Sequence, residues 1–263
     1  MVLSSKENPE LKQIARLLSS RRARREEGLF VAEGLRICME AAASPVTVEA
    51  VYQSESFAEK HPKEAALLAR RAEKCRLISD AMAARLGDTQ TPQGVFCVCR
   101  ALDNRPQLSK IKDARRLVLL CGLQDPGNVG TILRTADGLG IDGVILSADC
   151  PEITSPKVLR ATMGGVFHQL VMVAPQLEPV MDQLKEEGFD LCAAALTPEA
   201  RPVGETPFGQ RAAVVIGNEG NGLPEEIIRR CSRSIIIPMA RPGQSLNAAV
   251  AGCILMWELV QSR

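Results

Sequence analysis

Apolar residues in the first hundred positions recur at helical spacing in some segments and in short β-rich runs in others. Helical spacing begins at Asn8, where Leu11, Ile14 and Leu17 fall on one helix face. A basic turn is predicted at 21–25, and further helices are predicted after Gly34 and near 63–74. Strands are predicted at 29–32, 46–52, 75–78 and 94–99. This alternation predicts a small α/β domain.

From Arg116 onward, the apolar runs become short and continuous and alternate with helical stretches. The predicted strands are LVLLCG, GVILS, HQLVMV, FDLCAAAL, AAVVIG and SIIIP. Helices are predicted from Asn128, near 155–161, near 177–187 and from Ser245. Continuous apolar strands are typical of a mostly parallel sheet that helices cover on both faces. The second part of the chain is therefore predicted to be α/β as well.

A polar, proline-containing stretch at 102–113 interrupts the periodic pattern between these two parts. Such a stretch is typical of a linker. We predict a first domain at 1–100, a linker at 101–114 and a second domain at 115–263.

Composition narrows the class of protein. The chain is 46% apolar and 24% charged, and no apolar run is long enough to span a membrane. The first residues lack the basic-then-apolar order of a secretory signal, so a cytoplasmic protein with reduced cysteines is expected. The nine cysteines contain no CxxC pair, and only His61 and His168 are available beside them. We therefore expect no metal site and treat the cysteines as small apolar residues.

Positive charge is concentrated at the N-terminus, although the whole chain carries a formal charge of only +1. Residues 1–25 contain seven basic and two acidic residues. Such a cluster can attract phosphate groups by releasing their counterions. Basic runs are also common on solvated surfaces, so the charge pattern by itself leaves both interpretations open.

Three polar, glycine-rich segments each follow a predicted strand and precede a predicted helix. They are 124–130 (QDPGNVG), 216–224 (IGNEGNGLP) and 237–247 (IPMARPGQSLN). In parallel α/β sheets, binding sites lie in the loops at the carboxyl ends of the strands. Glycine and free backbone amides there allow close approach of a ligand, although glycine, asparagine and proline also simply form turns.

The string GLGIDG at 138–143 matches the GxGxxG pattern of dinucleotide-binding proteins. That pattern needs a strand before it and a helix after it, whereas here a predicted helix precedes it and a strand follows. We interpret Gly138–Gly143 as a helix stop. The P-loop pattern is absent as well, so neither a nicotinamide oxidoreductase nor a nucleotide phosphotransferase is favoured.

The three segments, taken in order, resemble the three motifs of the SpoU/TrmH family of SPOUT RNA 2′-O-ribose methyltransferases. The resemblance rests on QDPGNVG with Arg134 six positions after Asn128, on GNEGNG at 217–222 and on SLN at 245–247, and it covers residues 116–262. The stretch from Asn8 to Gly34 more loosely resembles the L30e-like RNA-binding domain of that family. The resemblance implies a SPOUT domain with a C-terminal trefoil knot after a smaller L30e-like domain. It also implies a homodimer formed through the methyltransferase domain and S-adenosylmethionine as cofactor, without a metal.

The resemblance also assigns roles to residues of this chain. The implied catalytic residues are Arg134, Asn128, Glu219, Ser245 and Asn247. The implied cofactor-binding residues are Leu196, Thr197, Gly217, Ile237, Met239 and Leu246. Arg134 is expected to stabilise the developing alkoxide rather than to act as a base, because a guanidinium stays protonated in proteins. The structural alternative for Arg134 is a surface ion pair with Asp137.

RNA is expected to bind through basic side chains, because aromatic residues form only 3% of the chain and offer few stacking surfaces. The candidates are Lys12, Arg21, Arg22, Arg24, Arg25, Lys157 and Arg160. We predict 23S ribosomal RNA as substrate, by analogy with family members that carry a similar N-terminal domain. The alternatives are a transfer-RNA 2′-O-methyltransferase and an inactive, ribosome-associated RNA-binding protein.

Overall fold

The computed structural model describes residues 2–87, 91–205, 207–241 and 244–261. Contacts divide the chain into unit 1, with Met1–Asp103 and Glu152–His168, and unit 2, with Asn104–Pro151 and Gln169–Arg263. The predicted ranges assign Glu152–His168 to the second domain, whereas in the structure this segment belongs to unit 1.

Helices and strands alternate through most of the described chain. The strands are β1 (Val2–Leu3), β2 (Leu29–Glu33), β3 (Val48–Ser54), β4 (Lys74–Ile78), β5 (Val95–Arg100), β6 (Arg116–Leu120), β7 (Gly143–Ser147), β8 (Val171–Ala174), β9 (Asp190–Ala194), β10 (Arg201–Pro202), β11 (Ala212–Ile216) and β12 (Arg233–Ile236). The helices are α1 (Pro9–Ser19), α2 (Arg21–Glu27), α3 (Leu35–Ala43), α4 (Glu55–Lys60), α5 (Pro62–Arg71), α6 (Asp80–Leu86), α7 (Pro126–Leu139), α8 (Pro156–Thr162), α9 (Leu177–Glu186), α10 (Glu225–Arg230) and α11 (Ala248–Gln261).

Unit 1 contains a mixed five-stranded sheet in the order β1-β4-β3-β5-β2, in which β5 is antiparallel to β2 and β3. Helix α1 begins as predicted, because the Asn8 side chain accepts hydrogen bonds from the first turn, and its apolar face is buried. The sequence did not predict α4 and α6, which are only six and seven residues long. Helices this short give little periodic signal.

The segment 21–25, predicted as a basic turn, is instead the start of helix α2. The Ser20 side chain accepts a hydrogen bond from the Ala23 amide and so caps this helix, and Gly28 ends it with a left-handed φ of 63°. The turn prediction was wrong because no residue within 21–25 disfavours a helix.

The returning segment Glu152–His168 is held in unit 1 by polar and aromatic contacts. Glu152 pairs with Arg24 at 2.5 Å, and His168 pairs with Glu40 at 2.8 Å. Phe167 stacks on Phe30 with ring centroids 6.2 Å apart. A segment between two strands of unit 2 thus forms part of the core of unit 1.

Unit 2 contains a seven-stranded sheet in the order β10-β12-β9-β11-β6-β7-β8, and every pair of neighbouring strands is parallel. Strands β6, β7 and β11 are buried along their whole length. The prediction of a mostly parallel α/β sheet is therefore confirmed. Helix α7 ends at Gly140, whose left-handed φ of 67° places the GLGIDG string at a helix stop as predicted.

Among the residues that the structure describes, no helix is long and apolar enough to cross a membrane.

Candidate active site

The three glycine-rich segments begin at one edge of the unit 2 sheet. The segment 124–130 follows β6, the segment 216–224 follows β11 and the segment 237–247 follows β12. Because all these strands are parallel, their carboxyl ends meet at the same edge. Pro242 and Gly243 of the third segment lie outside the described residues.

A chain of side-chain hydrogen bonds connects all three segments. The Asn128 Nδ2 atom donates to Glu219 Oε1 over 2.8 Å, and the Asn247 Nδ2 atom donates to Asn128 Oδ1 over 2.9 Å. Asn128 is only 8% exposed, so its amide is fixed between the two partners. The structure thus brings together three of the five predicted catalytic residues.

Glu219 is an acceptor that holds the first segment in place. Its carboxylate accepts the amides of Gln124 at 2.9 Å and Asp125 at 3.1 Å as well as the Asn128 side chain. Burial alone raises the pKa of Glu219, but these hydrogen bonds outweigh burial and lower the pKa. Glu219 is therefore ionised at neutral pH and is better suited to positioning than to accepting a proton.

The second segment forms a tight turn that leaves no room for a side chain at residue 217. Asn218 and Gly222 exchange backbone hydrogen bonds of 3.0 Å, and Asn218 Oδ1 accepts the amides of Gly220 and Asn221. A Cβ atom at Gly217 would lie 2.4 Å from the carbonyl carbon of Gly222. Glycine is therefore required at 217, where the buried backbone at the end of β11 packs against Gly222.

Asn247 begins the last helix and joins it to the site. Its Oδ1 atom accepts the amides of Ala249 at 2.9 Å and Val250 at 3.3 Å, while its Nδ2 atom reaches Asn128. Helix α11 then packs closely on α7 and β11, because a Cβ at Gly252 would lie 3.1 to 3.3 Å from side-chain atoms of Ile216 and Ile132.

Arg134 lies on α7 but outside this hydrogen-bonded chain. It lies six positions after Asn128, which places it about 9 Å further along the helix axis on another face. Its side chain is exposed and forms no hydrogen bond or ion pair with any described residue, including Asp137. The guanidinium is therefore free for a ligand, and the ion pair considered as an alternative is absent.

The predicted cofactor-binding residues follow three adjacent strands, β12, β9 and β11, or precede α11. Leu196 is 91% exposed and Met239 is 38% exposed, whereas Thr197, Ile237 and Leu246 are half-buried. Exposed large apolar side chains at the carboxyl edge of a parallel sheet are suited to cover an apolar ligand surface. Ser245 is also exposed and forms no hydrogen bond with a described residue.

The predicted RNA-binding residues all belong to unit 1 but differ in accessibility. Arg21, Arg25 and Lys157 are exposed, and no ion pair joins them to a described residue. Lys12 pairs with Glu7, Arg22 with Glu26 and Arg160 with Glu33. Arg24 is only 7% exposed, and it binds Glu152 and the Leu17 carbonyl oxygen. Arg24 therefore stabilises unit 1 and is too buried to contact RNA.

Sequence analysis did not select Asn218, Gln124 or Gly122 as site residues. Asn218 donates from Nδ2 to the Gly122 carbonyl oxygen over 2.7 Å, and Gln124 Nε2 donates to the same atom over 3.0 Å. Asn218 and Gln124 belong to the segments 216–224 and 124–130. The sequence around an asparagine in a turn does not show which carbonyl oxygen its side chain binds. In the described part of the chain, no three His, Cys, Asp or Glu side chains are grouped as metal ligands.

The chain is similar to known proteins along most of its length. Residues 115–257 match the SpoU rRNA Methylase family, and residues 8–97 match the MRM3-like substrate binding domain. The 23S rRNA (guanosine(2553)-2′-O)-methyltransferase RlmP of Bacillus subtilis is 30% identical over 257 residues, which cover 98% of each chain.

Two solved structures that carry S-adenosylmethionine (AdoMet) are similar over nearly the whole chain. An AdoMet-bound rRNA methyltransferase from Sinorhizobium meliloti has a TM-score of 0.86 and 26% identity, and covers 99% of this chain and 97% of its own. The SpoU methyltransferase AviRb from Streptomyces viridochromogenes, in complex with AdoMet, has a TM-score of 0.85 and 26% identity, and covers 97% of this chain and 98% of its own. The protein belongs to the SpoU family of RNA methyltransferases, as its three motifs indicated.

Proposed function

We propose that the protein transfers the methyl group of S-adenosylmethionine to a ribose 2′-hydroxyl of 23S ribosomal RNA in the cytoplasm. The observation that carries the proposal is the chain of hydrogen bonds from Asn247 through Asn128 to Glu219, which assembles three separate segments into one site. The RlmP relative, named for 2′-O-methylation of 23S rRNA, supports the choice of substrate.

The residues at the sheet edge fit S-adenosylmethionine. Leu196 and Met239 provide exposed apolar surface for the adenine ring, and the backbone of the loop that begins at Gly217 is proposed to hydrogen-bond with it. Thr197, Ile237 and Leu246 complete the proposed set of cofactor contacts. The bound cofactor supplies a methyl group that its sulfonium already makes electrophilic, so the protein has to align the ribose hydroxyl and stabilise the charge that develops there.

Arg134 is the proposed source of that stabilisation. A guanidinium stays protonated, offers five donors and binds phosphate through two parallel hydrogen bonds. Its exposed position lets it bind the phosphate next to the target ribose and the developing alkoxide. The proton then passes to solvent or to the phosphate.

Asn128, Asn247 and Ser245 form the rim on which the ribose is proposed to lie. Each polar atom of the Asn128 amide uses one described hydrogen bond and keeps capacity for a second, which is available to a ribose hydroxyl. Ser245, which forms no hydrogen bond with a described residue, offers its hydroxyl two residues before Asn247. Glu219 positions Asn128 and does not take the proton.

The RNA is proposed to contact unit 1 through Arg21, Arg22, Arg25, Lys12, Lys157 and Arg160. Replacing Arg21, Arg22 and Arg25 together by glutamine is expected to weaken RNA binding and to reduce the slope of log K against log salt by about 2 to 3, because each phosphate contact contributes about 0.7 to 0.9. Binding measured between low and moderate salt gives this slope. Arg229→Gln, at an exposed arginine of unit 2, is the control. An unchanged slope in the triple variant would reject this surface.

A homodimer through unit 2 is proposed because α11 leaves apolar surface exposed. Val250 is 47% and Trp257 is 52% exposed. These two residues lie seven positions apart and share one helix face. We also propose that the segment before α11 forms the trefoil knot of SPOUT enzymes.

Replacing Trp257 by glutamate is expected to yield a monomer, because a charge on this face opposes its burial against a second copy. Light scattering coupled to size exclusion measures the mass. Leu67→Glu, which changes a comparably exposed leucine of unit 1, should leave the dimer intact. A wild-type protein that is monomeric at micromolar concentration contradicts the dimer.

The proposed reaction is tested with methyl-labelled S-adenosylmethionine and unmodified 23S rRNA, with unmodified transfer RNA in parallel. We expect label in one 2′-O-methylated nucleotide of 23S rRNA. Label in transfer RNA alone would show that transfer RNA, and not 23S rRNA, is the substrate. Label on a base would overturn the assignment of the ribose as the methylated group. Calorimetry with S-adenosylmethionine tests the inactive alternative, because a relic that only binds RNA should take up no cofactor.

A further inference from the structure

Gly122, the second residue after β6, connects two site segments through its backbone. Its carbonyl oxygen accepts hydrogen bonds from Asn218 Nδ2 at 2.7 Å and Gln124 Nε2 at 3.0 Å. Asn218 in turn closes the 218–222 turn that carries Glu219 and follows Gly217. The position of the Gly122 carbonyl therefore sets the position of the second segment relative to the first.

The Gly122 amide is held from the opposite side by the end of β7. It donates to Ser147 Oγ over 2.9 Å, and the Ser147 hydroxyl donates to a carboxylate oxygen of Asp149. Ser147 is only 9% exposed, whereas Asp149 is at the surface. Because its proton goes to the carboxylate, the Ser147 oxygen is free to accept the amide, and the charge strengthens both bonds.

The backbone conformation of Gly122 makes this arrangement specific to glycine. Its φ of +65° lies in the left-handed region, and a Cβ atom there would come within 3.1 Å of Asp149 Oδ2. The carboxylate therefore lies directly against the Gly122 α-carbon. No other residue type reaches this geometry without strain.

We propose that Ser147 and Asp149 are positioning residues that act through Gly122 on the cofactor-binding loop at 217–222. This inference rests on the proposed function. Among the described residues, no hydrogen bond or ion pair joins this pair to the catalytic side chains of the three motifs or to Leu196 and Met239, so its effect on the reaction is proposed to pass through the Gly122 peptide. Loss of the pair should loosen cofactor binding more than it slows methyl transfer at saturating cofactor.

The test measures S-adenosylmethionine affinity by calorimetry, and the KM for cofactor and kcat, for Ser147→Ala and Asp149→Asn. Ser147→Ala leaves the Gly122 amide without its acceptor and is expected to raise Kd and KM about tenfold, with kcat within about twofold of wild type. Asp149→Asn keeps an oxygen acceptor for Ser147 but loses the charge, so a rise of about threefold is expected. Should Ser147→Ala fail to fold, Asp149→Asn at the surface decides the question.

Ser44→Ala is the matched control. Ser44 is 5% exposed, and its hydroxyl also both donates to and accepts from the backbone, but in unit 1. It should lower thermal stability without changing cofactor affinity. Wild-type affinity in both Ser147→Ala and Asp149→Asn would overturn the inference while leaving the proposed function standing. Absence of cofactor binding by the wild type would instead overturn the proposed function itself, and the inference with it.

Discussion

Replacing Arg134 by lysine is expected to lower kcat on the order of 100-fold, with the affinity for S-adenosylmethionine unchanged. Lysine keeps the positive charge but offers no planar pair of donors for phosphate and alkoxide. Because the Arg134 side chain forms no hydrogen bond or ion pair with any described residue, its loss should not disturb the fold. Single-turnover methyl transfer measures the chemical step, and calorimetry measures cofactor binding.

Arg229→Lys is the control for this substitution, since Arg229 is an exposed arginine of unit 2 that pairs with Glu225. It should turn over like the wild type. Wild-type turnover by Arg134→Lys would contradict the proposed two-donor role.

Replacing Asn128 by aspartate is expected to weaken cofactor binding about 100-fold at pH 8. The change is nearly isosteric, but it turns the donor that lies 2.8 Å from Glu219 Oε1 into a second carboxylate oxygen. Two carboxylates in contact cannot both stay ionised at low cost, and a shift of two pKa units corresponds to about 2.7 kcal/mol. Calorimetry at several pH values measures the loss.

The pH dependence of the Asn128→Asp variant follows from the same repulsion. One carboxyl of the new pair has a raised pKa in the folded state, so the folded state binds more protons than the unfolded state within that window. Stability and cofactor affinity of the variant should therefore recover as the pH falls from 8 towards 5. In the wild type the pKa of Glu219 is lowered, so its contribution persists above the pKa of an unfolded glutamate and is lost only at more acidic pH.

Two further variants make this prediction specific. Gln210→Glu makes the same amide-to-carboxylate change at an exposed position that precedes β11, at the opposite end of the strand from the site, and should have little effect. Combining Asn128→Asp with Glu219→Gln exchanges donor and acceptor and should restore part of the affinity. Loss of affinity that is independent of pH, or that the double variant does not relieve, would contradict the role assigned to this hydrogen bond.

The fold of unit 2 was predictable because each buried strand is a continuous apolar run bounded by turn residues. Strands β6 and β11 are separated in the sequence but adjacent in the sheet, and both lie within predicted runs. The reversed order of helix and glycines at Gly138–Gly143 was also enough to exclude a dinucleotide site. A strand that is buried on both faces is a continuous apolar run, and such a run can be recognised in a single sequence.

The assembly of the site was less predictable, because its contacts join distant residues. Asn128 and Glu219 are 91 residues apart, and Asn128 and Asn247 are 119 apart. The order of the strands in the sheet brings these residues together, and the spacing of apolar residues does not predict that order. The position of the three segments after predicted parallel strands indicated a shared edge of the sheet, and the resemblance to a family assigned them to one site.

Counting charges in the basic N-terminal cluster does not show which side chains are accessible. The count treats Arg24 and Arg25 alike, yet Arg25 is exposed whereas Arg24 is buried against Glu152, which lies 128 residues away. The return of Glu152–His168 to unit 1 was missed for the same reason, since a helix such as α8 looks the same in either unit. Local sequence carries no information on a partner so distant.

The segments after β9, β11 and β12 are proposed to form one site for S-adenosylmethionine. Hydrogen exchange of the full chain, with and without the cofactor and read by mass spectrometry, measures which segments the cofactor covers. We expect slower exchange at 195–200, 217–222 and 237–247, with the α1 and α2 region unchanged. Unchanged exchange in these three segments, or protection centred on Gly138–Gly143, would contradict it.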